Sequence, residues 1–250
     1  MIDQNNPAGR LHKILTDALR KNEREQTRKV WASVFGIDEN NETEIIRSLL
    51  SLQELVQEVH ALIENNPQSN SGLLLKSFPN LRRAVSAQNL MNPWSSFRVG
   101  LDPETITRLE FCAEFLSGKY SEVSIPREEV EELKKLLSAM VEFAEKSTMP
   151  NELKAFVLNQ LEELRRGVFD FNIKGACGLR TAMETVIGTT ITQTAKYQEI
   201  KETYPDVLAR MGQLLDRIDG AMSKALKIKK TLGNAAKLLG LSWVSGKDED

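Results

Sequence analysis

Apolar residues recur every three or four positions along nearly the whole chain, and Gly or Pro marks where most runs stop. That is the period of a helix with one buried face, not the two-residue alternation of a half-buried strand. Asn6-Pro7 predicts a helix start with proline in the first turn, followed by Leu11, Ile14, Leu15, Ala18 and Leu19 on one face. A second short helix carries Val30, Trp31, Val34 and Phe35 and stops at Gly36. From Ile37 to Asn66 there is neither Gly nor Pro, and a stripe from Ile45 to Ile63 predicts one long helix.

The stretch 67–101 is the least regular, with Pro67, Gly72, Pro79, Pro93 and Gly100 around short apolar runs. It reads as a connection with short helices and as a candidate boundary. Asp102-Pro103 repeats the cap-plus-proline start, Pro126 and Pro150 open two further helices, and Pro205 opens a last long one expected to run toward Leu239. Gly175 to Ile200 has a Thr-rich centre with strand propensity, yet Leu179, Ala182, Met183, Val186, Ile187 and Ile191 keep helical spacing, so a helix is expected. The expectation is an all-α, multi-helix bundle of about nine helices with a long C-terminal helix. Its parts are an N-terminal helical part (1–66), an irregular connection (67–101), a C-terminal bundle (102–241) and a flexible tail (242–250), all of which could form one compact body.

Composition supports helices and narrows function. Eight Pro, three Trp, three Tyr and nine Phe in 250 residues make a chain poor in breakers and in strand-forming aromatics. With 33 basic against 35 acidic side chains, it is not a generally basic nucleic-acid binder. The N-terminus has no apolar run of a secretory leader, and no window is apolar enough for a transmembrane segment. Cys112 and Cys177 lie far apart and form no disulfide framework, so a reducing cytoplasmic setting is expected. GxGxxG, GxxxxGK[ST] and HExxH are all absent. No cofactor and no metal are expected, and no catalytic residue is assigned.

Cys177 is the one residue worth weighing as a nucleophile. It follows Gly175-Ala176 at a predicted helix start, where unpaired N–H groups favour a thiolate. The simpler reading is a small residue at a tight helix crossing. His60, with Glu64 one turn on, reads as a partly buried, paired histidine.

The last helix carries the clearest candidate surface. Leu208, Met211, Leu215, Ile218 and Met222 follow the alternating three-and-four spacing of a coiled-coil seam. Such a seam serves either a neighbouring helix of the same chain or a homodimer. Farther on, Lys224, Lys227, Lys230 and Lys237 project mostly from one face and could meet phosphate, lipid or an acidic protein surface. Glu122 to Glu145 supplies an acidic helix that could pair with them internally. Trp94 and Phe97 share a breaker-rich loop and could anchor a partner, or plug the core beneath it. Arg10, Lys13, Arg20, Lys21, Arg24, Arg28 and Lys29 form a second basic cluster on the first two helices.

The function expected from these features is a non-enzymatic protein-interaction or regulatory subunit, adaptor-like, of the kind a bacterial toxin–antitoxin or defence operon encodes. Its partner would be another protein, a second copy, or both. The alternative is a nucleic-acid-binding helical protein using the Lys-rich C-terminal helix. A hydrolase using Cys177 stands third.

Overall fold

The computed structural model describes residues 2–66, 70–122 and 125–226. Those residues form helices joined by turns and loops, with no β-strand and one isolated bridge between Gln26 and Pro93. They divide into two units. Unit 1 takes the chain up to Ser121 together with Asn172–Lys174, and unit 2 takes Glu122–Phe171 and the described residues from Gly175 onward.

Unit 1 contains α1 (Pro7–Leu19), α2 (Thr27–Phe35), α3 (Glu42–Glu64), α4 (Ser71–Leu74), a 3-10 turn (Leu75–Ser77), α5 (Phe78–Ala84), α6 (Ser95–Arg98) and α7 (Pro103–Leu116). The cap signals read from the sequence act as expected. The Asn6 side chain accepts from the Gly9 N–H at 2.9 Å, and Asp102 accepts from the Thr105 N–H at 2.7 Å. Gly36 ends α2 in the left-handed region at φ 69°. Asn6 also donates from Nδ2 to the Ala113 carbonyl at 2.8 Å, so one side chain caps α1 and ties it to α7. The chain before α1 folds back over Gly9, where a Cβ would stand only 1.8 Å from the Asp3 carbonyl oxygen.

α1 packs on both α7 and α3, and this places α7 in unit 1. The division between units therefore falls after α7 rather than inside 67–101. The irregular connection is instead woven into unit 1. Trp94 is fully buried, donates from Nε1 to the Ala18 carbonyl at 3.1 Å, and meets Trp31 edge-on at 5.4 Å. Its neighbours join the same mesh, with the Trp94 and Ser95 N–H groups donating to the Glu25 and Glu23 carbonyls.

Unit 2 contains α8 (Arg127–Lys146), α9 (Asn151–Phe169), α10 (Phe171–Thr192), α11 (Thr194–Thr203) and α12 (Pro205–Leu226). The first turn of α10 is counted with unit 1, and Gly175 interrupts the helix at φ 64°, ψ −160°. Twelve α-helices among the described residues exceed the nine expected because the irregular connection holds α4, α5 and α6 and because Gln193 separates α10 from α11. The expected extension of the last helix to Leu239, and the tail 242–250, lie outside the described residues.

The threonines of α10 do not force a strand. Thr181, Thr185, Thr189 and Thr190 each donate their hydroxyl to the carbonyl four residues earlier, at 2.9–3.1 Å. Each hydroxyl is thereby satisfied within its own helix, in a side-chain rotamer that helical backbone allows threonine. α9 and α10 approach closely, since a Cβ on Gly167 would lie 2.8 Å from the Ala182 Cβ. One buried polar contact crosses here, where the Gln160 side-chain amide lies 3.2 Å from Thr190 Oγ1.

Candidate functional site

α12 lies antiparallel to α8, and two side-chain contacts fix the register. Lys224 Nζ is 4.0 Å from Glu129 Oε1 near one end, and the Arg210 guanidinium stacks 4.2 Å over the Phe143 ring near the other. The seam residues Leu208, Met211, Leu215, Ile218 and Met222 are all buried in the core of unit 2, beside Val130, Leu133, Leu137 and Met140 of α8. Their apolar surface is covered by this chain's own helices.

Trp94 and Phe97 are likewise buried, in the core of unit 1. Lys224 is exposed and faces Glu129, while Lys227, Lys230 and Lys237 lie outside the described residues. Four members of the basic cluster read on the first two helices have partners in unit 1. Arg10 binds backbone carbonyls, Arg20 pairs with Asp17 at 3.1 Å, Lys21 donates to Ser33, and Lys29 pairs with Glu39 at 3.4 Å.

The histidines and cysteines are occupied separately. His12 Nε2 meets Glu110 at 3.2 Å, and His60 meets Glu64 at 3.4 Å with its ring edge-on to Phe78. Cys112 is buried on the apolar face of α7, and that burial pushes its thiol up to about 12. Cys177 is half-buried at the helix start after Gly175. The Ala176 N–H beside it donates to Glu122 Oε2 at 2.7 Å, so a carboxylate already takes the electropositive position that would favour a thiolate. Among the described residues, no three His, Cys, Asp or Glu side chains are placed to share a metal ion, and no helix is long and apolar enough to cross a membrane.

What the two helices leave open is a groove of about 410 Å³ running along the outside of the α8–α12 pair. Leu136, Ala139, Met140 and Leu214 form its apolar floor, Glu132 stands on the α8 edge, and Arg210, Gln213, Asp216 and Arg217 stand on the α12 edge. Met140 and Leu214 are nearly covered, but Leu136 remains 37% exposed. The buried face of α8 is Val130, Leu133, Leu137, Met140 and Ala144. Leu136, Ala139 and Phe143 form a second stripe beside it, at steps of three and four. The signal was present as an apolar arc wider than one neighbouring helix can cover.

No protein family, curated protein or solved structure matches this chain.

Proposed function

We propose that this chain is a protein-interaction subunit of regulatory or adaptor type, and that a helix of its partner docks in the α8–α12 groove. The observation that carries this reading is the groove's construction. An apolar floor a little over one helical turn long lies between charged edges, on a helix pair whose main apolar faces are already used in the unit's core. Helices recognise helices by such grooves, with apolar anchors at i, i+3, i+4 and i+7 and charges at the edges setting direction and choice. Cys112 and Cys177 as free thiols suit a reducing cytoplasm. The nucleic-acid reading draws less support, because Arg10, Arg20 and Lys29 of that basic cluster already hold carbonyl or carboxylate partners.

The test is a photo-crosslinking residue placed at Ala139 or Gln213 in living cells, with Glu114 on the exposed face of α7 as the control position. Adducts to one protein from both groove positions, absent at the control and lost in Leu136→Asp, support docking. Absence of adducts, or the same adducts from the control, overturns it.

A further inference from the structure

We infer that the docked element is an amphipathic helix with carboxylates seven residues apart along one edge and a Lys or Arg on the other. This rests on the docking reading above and adds the chemistry of the partner. On α12, Arg210, Arg217 and Lys224 recur at seven-residue intervals, so they lie in one row along the helix. Lys224 is engaged by Glu129, whereas Arg210 rests on the face of Phe143 and Arg217 has no partner among the described residues. Across the groove Glu132 also stands without an ion pair among the described residues.

Seven residues of helix span about 10.5 Å. A helix lying along the groove therefore meets Arg210 and Arg217 with acidic residues that share this spacing. On that helix the apolar residues that face Leu136, Ala139 and Leu214 occupy the first and fourth positions of each heptad, and the acids occupy the fifth or the seventh, on one flank of the stripe. The opposite flank carries the basic residue that faces Glu132. A helix acidic on both edges would be repelled by Glu132, and one basic on both edges would be repelled by Arg210 and Arg217.

The measurement is fluorescence anisotropy of the full chain with three labelled synthetic helices that share one leucine stripe. The first has Glu on one edge and Lys on the other, the second Glu on both, and the third Lys on both. The mixed-edge helix should bind about tenfold more tightly than the all-Lys helix. Arg210→Glu/Arg217→Glu should reverse that order, and Arg217→Glu alone should shrink the gap if the double variant does not fold. Equal binding by all three helices, still abolished by Leu136→Asp, would overturn the edge-charge inference and leave docking intact. Binding of none, or binding indifferent to Leu136→Asp, would overturn docking itself. A chain found dimeric in solution and made monomeric by Leu136→Asp would assign the groove to a second copy and also overturn the proposal.

Discussion

The guanidinium of Arg10 donates from Nε to the carbonyl of Ile173 at 3.1 Å, inside unit 1. Its other nitrogens reach the Asn5 carbonyl at 3.0 Å and the Lys174 carbonyl at 3.4 Å. Ile173 inserts its side chain into the unit 1 core, and Lys174 closes the contact by pairing with Glu54 at 2.7 Å. A cation that sequence placed in a surface cluster is thus 92% covered, since 8% of it stays exposed, and it organises main-chain oxygens. A fork of five rigid donors is the side chain suited to that task.

Replacing Arg10 with Met should therefore cost unit 1 about 2–4 kcal/mol, because carbonyls left without donors in a covered site lose their hydrogen bonds and regain no water. Arg10→Lys should recover only part of this, since one ammonium cannot span three carbonyls. Urea unfolding followed by the fluorescence of Trp31 and Trp94 measures both. A loss below about 1 kcal/mol would show that the guanidinium contributes little.

Ile218 separates the two uses of the predicted seam. It is fully covered by the helices of unit 2, so Ile218→Asp buries a carboxylate and should unfold that unit rather than release a folded monomer. Circular dichroism would show lost helicity, with a penalty of at least about 3 kcal/mol. A variant with full helicity and half the native mass would instead assign the seam to a dimer.

Gly167 and Ala182 should be coupled. Gly167→Ala gains up to about 1 kcal/mol in helix propensity but drives its methyl into the Ala182 Cβ, an overpacking that costs about 1–3 kcal/mol. Adding Ala182→Gly removes the collision. A double-mutant cycle should give a favourable coupling of at least about 0.5 kcal/mol, and a value near zero would mean that the helices part freely.

The two thiols should differ in reactivity. With Cys112 pushed up to about 12 by burial and Cys177 half-buried, an alkylating reagent at pH 8 should modify one thiol per native chain and two after unfolding. Cys177→Ala should then leave the native chain unmodified. Labelling of Cys112 before global unfolding would reveal local opening of α7.

Asp3 should make unit 1 sensitive to acid. Burial raises its carboxyl, but hydrogen bonds from the Ser121 hydroxyl, the Asn5 N–H, the Asn6 amide and the Ser117 side chain outweigh that and hold it below the ordinary value. A depressed folded-state pKa gives stability that is complete above the unfolded value of about 3.9 and is lost as pH falls through the depressed one. Asp3→Asn should flatten the stability profile of unit 1 below about pH 4 and leave its shape near neutrality unchanged. An acid limb identical to that of the parent chain would contradict this.

The sequence by itself determined the helices and most of their ends. The three-to-four period fixes which face of each helix is apolar, and Asn6, Gly36 and Asp102 sit where local backbone geometry needs them. These are short-range effects, complete within one or two turns, so they can be read without knowing the neighbours. Tertiary structure decided what each apolar face meets. It spent the α12 seam on α8, turned Trp94 inward under its loop, covered Arg10 with carbonyls from more than 160 residues away, and left Leu136 beside the core instead of in it. Periodicity states that a face is apolar and how wide it is. Only the packing of several helices at once determines how much of that width is covered, and the uncovered part of α8 is where the candidate site lies.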